Sequence, residues 1–273
     1  VITGFETIRD GGHLLLLADP ASFPIEDLLA LTAARHPRLT IIGGVASAGF
    51  APGANRLVLD GHSFDDGAVG VLLPTDAINL ETVVSQGCRP IGDPFTVTRA
   101  ERNVVFEIAG RPALEKLVQI LGTLPEAERQ LARSGLYIGL VIDEHKLDFD
   151  RGDFLVRNVI GVDHESGAVA VNDLVPLGAT VQFQVRDAEA ADDDLRALLK
   201  GRDAAAALVF TCNGRGTRLF GEPDHDARVI TDLTGSRATA GMFCAGEIGP
   251  IGGRSFLHGF TASMAIFNDV PHR

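Results

Sequence analysis

The sequence predicts an α/β protein of mixed sheets with flanking helices, and three observations lead there. Short apolar runs of strand length alternate with segments of helical periodicity along most of the 273 residues, the pattern of an α/β body. The run "GAVGVLLP" from Gly67 is continuously apolar, which predicts a strand buried on both faces. The two ends of the chain also resemble each other. "HLLLLADPASF" (13–23) matches "ALVFTCNGRG" (207–216), "GVASAG" (44–49) matches "GMFCAG" (241–246), and "GAVGVLLP" matches "GFTASMAIF" from Gly259. The matching offsets predict a diverged internal duplication of a β-α-β-turn-β unit, with a period too long for a solenoid. Ser47 then lies opposite Cys244, and paired glycine turns near a pseudo-twofold are a natural place for a pocket.

Each element follows from local chemistry. "GHLLLLADP" reads as a strand ending in a turn. "FPIEDLLALTAARHP" reads as a helix: Pro24 sits near its start, where a missing N–H costs nothing, Arg35 and His36 complement the last carbonyls, and Pro37 stops it. "LTIIGGVAS", "ANRLVLDG" and "GAVGVLLP" follow as strands. A second region opens near "SQGCRPIGDPFTVT", with helices at "RPALEKLVQIL" and "PEAERQLARSG" and strands at "LYIGLVID", "FLVRNVIGVD" and "TVQFQVRD". The helix "DDDLRALLK" comes next, its run Asp192 to Asp194 expected as a solvated acidic cap at the positive end of the dipole.

Composition excludes several function classes. A formal charge of -12 and a pI near 5.0, without clustered Lys and Arg, argue against a nucleic-acid surface. Runs such as "HLLLLA" and "ALVF" fall far short of the roughly 20 apolar residues a membrane span requires, so no membrane insertion is expected. No charged segment followed by an apolar one opens the sequence, and the expected compartment is the cytoplasm. Cys88, Cys212 and Cys244 are too widely spaced for a zinc ribbon or a redox CxxC and read as free thiols. His13, His36, His62, His145, His164 and His225 form no metal-ligand spacing, and neither metal nor cofactor is expected.

The stretch "GMFCAGEIGPIGG" sets Glu247 and Cys244 among glycines and apolar residues. A buried carboxylate needs a cation, a row of amides or a ligand to meet it. "TCNGRGTRLFG" leads from a strand into a glycine turn and a helix start, where turn amides with Arg215 and Arg218 would welcome an anion; it lacks a Walker ending and is not GxGxxG, so no nucleotide site is read there. A solvated glycine turn is the competing reading. Cys212 at that turn is either a nucleophile activated by Arg215 or a small buried hydrophobe, and Cys244 is the more inert of the two. In "VQFQVRD" the alternation puts Val181, Phe183 and Val185 on one face and Gln182, Gln184 and Arg186 on the other, lining a cleft or facing solvent. Arg157 in "FLVRNVIG" must find a carboxylate if it faces inward. His258, between two apolar strand pieces, reads as a hydrogen-bonded core residue. No GxSxG elbow accompanies Ser47.

Read together in that order, "CNGRG", "GMFCAGEIGPIGG" and "FLHGFT" resemble the FIST family, a sensory domain of bacterial signalling proteins and some eukaryotic F-box proteins. Residues 1–80, with "LLLLADPASFP" and "IIGGVASAG", resemble the later part of the N-terminal FIST module, and residues 81–273 resemble the C-terminal module. The family's first module has further strands before "LLLLADP", so the expectation is a piece removed or carried as a separate chain. The resemblance implies a sensor of small ligands, amino acids or their derivatives, with no defined catalytic residues. Its recurrent polar positions map to Arg157, Arg186, Asn213, Arg215, Glu247 and His258. It also implies an output partner, an unidentified signalling protein.

Three functions stay open on the sequence. In the first, Glu247 and Asn213 face the strand arginines across one cleft, Glu247 is held ionised by Arg157 or Arg186 with His258 as a hydrogen-bonding wall, and an amino acid sets its ammonium on Glu247 and its carboxylate on Arg215 and the turn amides. In the second, the same cleft hydrolyses an amide or thioester with Cys212 or Cys244 as thiolate and His258 as base. In the third, a buried ion pair is purely structural and the protein works as an interaction scaffold.

Overall fold

Four consecutive leucines, Leu14 to Leu17, form the centre of β1 (Gly12–Ala18), and both faces of this strand are apolar because both are covered. The computed structural model describes residues 10–75 and 78–268 and divides into two units, one of residues up to 86 together with those from 192 onward, the other of residues 87–191. In the first unit β1 leads to α1 (Ile25–Arg35) and β2 (Leu39–Val45). Pro24 caps α1, Glu26 and Asp27 occupy its positive end, and Arg35 its last turn. A hairpin, β3 (Leu57–Leu59) with β4 (His62–Phe64), precedes β5 (Ala68–Leu73) and β6 (Asn79–Gln86). β1 pairs β2 in parallel and β5 antiparallel.

The second unit is a barrel. Its strands are β7 (Cys88–Pro90), β8 (Phe95–Glu101), β9 (Val104–Ile108), β10 (Arg111–Pro112), β11 (Leu136–Val141), β12 (Phe154–Asp163), β13 (Ala168–Val171) and β14 (Thr180–Arg186). Helices α2 (Ala113–Thr123) and α3 (Glu126–Ser134) lie between β10 and β11. The order runs β9-β13-β12-β11-β14, and β8 pairs both β14 and β9, closing the ring and removing its edges. Val181, Phe183 and Val185 point into its core with Ile138, Val169 and α2's Leu117. Gln184, on the opposite face of β14, is fully buried, so that face is covered rather than solvated.

The chain returns to the first unit along α4 (Ala188–Leu199), followed by β15 (Ala206–Cys212), α5 (Thr217–Phe220), α6 (His225–Thr234), β16 (Thr239–Cys244), β17 (Gly246–Ile251), β18 (Arg254–His258) and β19 (Thr261–Asn268). β15 pairs β16 in parallel and β19 antiparallel, and β6 adds to the far edge of β19. The β17–β18 hairpin crosses to the other sheet and pairs β2, giving the order β18-β17-β2-β1-β5.

Side-chain alternation then decides the layers. Leu14 and Leu16 of β1 pack with Leu28 and Leu29 of α1, whereas Leu15 and Leu17 pack with Phe210, Ala265 and Leu80 of the second sheet. On that sheet's other face Val209, Met264 and Ile266 meet Leu195 and Leu199 of α4 and Val229 and Ile230 of α6. The result is helix, sheet, sheet, helices, each fully buried large aliphatic side chain contributing about 1.5–3 kcal/mol. The sheets approach so closely at one point that a Cβ on Gly44 would lie 2.2 Å from Cys244 Sγ. Among the described residues no helix is long and apolar enough to cross a membrane.

The α/β class, the mixed sheets and the flanking helices are those the sequence predicts, and two local expectations are corrected. "GAVGVLLP" is not buried on both faces: β5 is an edge strand, with Val71 and Leu72 substantially exposed. Continuous apolarity does not distinguish an edge from a centre, and β19 is buried on both faces although its sequence includes Thr261 and Ser263. The acidic run of α4 is not a solvated cap either. Asp187 caps this helix, accepting from the amides of Glu189 (3.1 Å) and Ala190 (3.2 Å). Asp194 accepts from Ser85 Oγ and the Gln86 amide, both at 2.8 Å, tying α4 to the end of β6.

Candidate functional site

The carboxyl ends of the parallel pair β15–β16 are where an α/β sheet presents its ligand crevice, and here they open onto the starts of α5 and α6. Gly216 permits the turn: it stands at φ 64 as N-cap of α5, a left-handed conformation that favours glycine. The turn folds Arg215 inward, where it is 1% exposed. Its guanidinium forks onto Asp226, Nε 2.7 Å from Oδ2 and Nη2 2.9 Å from Oδ1, the bidentate geometry of a strong charge-assisted pair. Thr211 Oγ1 donates to Asp226 Oδ2 at 2.8 Å, and His225 Nδ1 lies 3.1 Å from Oδ1. Burial works to raise the pKa of Asp226, but the bonds from His225, Arg215 and Thr211 outweigh it and hold the carboxyl well below the usual range.

The array extends outward from Asp226. His225 Nε2 lies 2.9 Å from Asp192 Oδ1, and Asp192 also accepts from Arg196. The His225 ring stacks on Phe220, centroids 3.5 Å apart, and the Arg215 guanidinium lies 5.1 Å from the centre of the same Phe220 ring. One wall of a cavity of about 210 Å³ is His225 and Asp226 at the start of α6, and the other is Thr211 of β15 with Thr239, Gly241 and Phe243 of β16.

Behind this wall, Glu247 is fully buried on β17. Its Oε2 accepts from the Thr261 hydroxyl (2.9 Å) and the Thr261 amide (3.2 Å). Burial pushes its pKa up to about 8, against the opposing pull of the Thr261 bonds and the Arg215 charge. Desolvation outweighs the attraction and favours the protonated carboxyl, whereas the sequence suggested a carboxylate held ionised by Arg157 or Arg186. Glu247 Oε1 and Arg215 Nη1 are both buried without a hydrogen-bond partner among the described residues.

The family models match this architecture over nearly its whole length, the FIST N domain over residues 4–111 and the FIST C domain over residues 113–250. The chain belongs to the FIST family. FIST domains are sensory domains of signal transduction. The chain is 48% identical over 277 residues to "Uncharacterized protein Rv0628c" of Mycobacterium tuberculosis H37Rv, covering 98% of this chain and 72% of that relative. It is likewise 48% identical over 277 residues to "Uncharacterized protein Mb0898c" of Mycobacterium bovis, covering 98% and 71%.

In this FIST chain the polar residues named from the sequence divide between the two units. Arg157 and Arg186 belong to the barrel. Arg157 Nε lies 2.6 Å from Asp173 Oδ2, and Arg186 sits at the end of β14 opposite Cys88. Asn213, Arg215, Glu247 and His258 belong to the sandwich. Asn213 has an exposed side chain, but its amide donates to Cys244 O (2.9 Å), while the Arg215 amide donates to Cys212 O (2.8 Å). The Gly214 amide lies 3.5 Å from Cys212 Sγ, so two of these amides close the turn on Cys212, the third ties it to β16, and they do not form an open cradle. His258 stands across from Glu247 in the β17–β18 register, with Nε2 2.9 Å from Gly249 O.

Cys212 and Cys244 are register neighbours on β15 and β16, both buried. Burial, then the nearby Glu247 and Cys212, raise the Cys244 thiol far above its ordinary value, which removes the thiolate that nucleophilic chemistry would need. Among the described residues no group of three or more His, Cys, Asp and Glu is placed to hold a metal ion.

Sequence reasoning missed Thr211, His225, Asp226 and Thr261. A signal for Asp226 existed: "DHDARVITDLT" has the acidic start and apolar spacing of a helix following a glycine turn. Nothing local paired it with Arg215.

Proposed function

We propose that this FIST chain is a sensory input protein of the cytoplasm whose signal is a small amino acid or carboxylate, bound in the cavity between α6 and β16. The observation that carries the reading is the cavity itself, set against a buried and fully ordered charge array at the carboxyl ends of two parallel strands. Its 210 Å³ is below the roughly 300–1,000 Å³ of drug-sized sites and suits a metabolite of a few carbon atoms. The first turn of α6 lines it and has no side-chain cap, so its amides suit a carboxylate. Asp224 on the same rim suits an ammonium group.

In this reading Arg215 and Glu247 position the wall, Arg215 by fixing Asp226, while Asn213 and His258 flank the turn and the hairpin behind it. Arg157 and Arg186, which the family resemblance names, belong to the barrel and do not line this cavity. The output is to a signalling protein. Titration calorimetry over a panel of amino acids and small carboxylates tests the reading, with Ala227→Leu as a variant that fills the cavity from α6. Binding to the wild type that vanishes in Ala227→Leu at unchanged melting temperature supports it; an absence of heat across the whole panel overturns it.

The reading of the buried pair as purely structural has one observation in its favour: Asp226 accepts from Thr211, His225 and twice from Arg215, leaving it little capacity for a ligand. A cavity-filling variant as active as wild type in signalling would favour that reading.

A further inference from the structure

The two sheets of the sandwich are finished differently at corresponding edges. β19 lies antiparallel to β15 and is covered on its far side by β6, which pairs it from Thr261↔Gln86 to Asn268↔Asn79. β5 lies antiparallel to β1 in the same way, but among the described residues no strand hydrogen-bonds its far side. Ala68–Leu73 contains no charged residue and no proline, the devices that normally protect a sheet edge. Alternation sends Val71 to the inter-sheet face and Leu72 to the α1 face, since their partners Leu15 and Leu14 pack in those two cores. They are nevertheless 53% and 39% exposed. The β3–β4 hairpin beside β5 adds Val58 and Phe64 to the exposed apolar side chains.

Apolar side chains on both faces of an unpaired edge call for a strand that is itself apolar on both faces. β6 is such a strand, burying Leu80 towards one core and Val83 towards the other. The match to the mycobacterial relatives also leaves more than a quarter of their length without a counterpart in this chain, which is ample for the strand and its connections.

We propose that the outer edge of β5 docks a β-strand, hydrogen-bonded as β6 is to β19 and supplied by polypeptide corresponding to the unmatched part of those relatives. Main-chain bonds give such an added strand its affinity, and the half-exposed Val71 and Leu72 give it side-chain contacts.

Hydrogen–deuterium exchange of the 273-residue chain and of the intact Mycobacterium tuberculosis relative tests this. The expected result is that amides of Ala68–Leu73 not bonded to β1 exchange at least tenfold more slowly at the matching strand of the relative. Equal, fast exchange in both proteins overturns the proposal. Protection in the 273-residue chain that grows with protein concentration and is lost in Val71→Lys also overturns it, because the edge would then be taken by a second copy.

Discussion

Arg215 Nε lies 2.7 Å from Asp226 Oδ2 with Nη2 2.9 Å from Oδ1, and both residues are buried. The glycine turn after β15 and the first turn of α6 are joined by this fork. Removing one partner leaves the other charge uncompensated in the interior, so Asp226→Ala should destabilise the fold by about 3–5 kcal/mol in urea melts. The double variant Arg215→Met/Asp226→Leu should recover most of that loss. A single variant costing less than about 1 kcal/mol would show that water reaches the pair.

Glu247 makes the fold sensitive to alkali. Its pKa is raised from 4.5 to about 8 in the folded protein, so the folded state holds the proton more tightly than the unfolded state. Stability from this group is fully present below about pH 4.5 and is lost as pH rises through about 8. Unfolding free energies from urea melts at pH 5 to pH 9 should fall across that window by an amount on the order of a few kcal/mol. Glu247→Gln should flatten the dependence while keeping an acceptor for Thr261.

Asp226 has the opposite sign. Its folded pKa is depressed below the ordinary 3.8, so its contribution is present above that value and is lost as pH falls below it. Acid titration of wild type and Asp226→Asn should converge in stability at the lowest pH reached.

Native thiol reactivity separates sensor from hydrolase. With all three cysteines buried and Cys244 held protonated, iodoacetamide at pH 7 should label none within minutes and all three in urea. Rapid, single-site labelling of Cys212 would revive the thiol mechanism.

Gly44 is a point of close approach between the two sheets, a Cβ there lying 2.2 Å from Cys244 Sγ. Gly44→Ala should cost about 1–3 kcal/mol through overpacking. Adding Cys244→Ala should relieve most of the cost, which a double-mutant cycle would read as coupling.

The sequence by itself determined the alternation of strands and helices, the caps of α1, and the apolar identity of nearly every strand, because helical and strand periodicities are local properties of the chain. It also marked Glu247 and Arg215, since an ionisable group in a glycine-rich or apolar setting stands out wherever it occurs. Tertiary structure decided which carboxylate meets Arg215, and it is Asp226, reached only when α6 folds back along β15. It decided that the β17–β18 hairpin joins β2, and that β5 is an edge while β19 is a centre. Pairing depends on contacts between residues far apart in the chain, so the apolar run of β5 does not reveal what lies beside it.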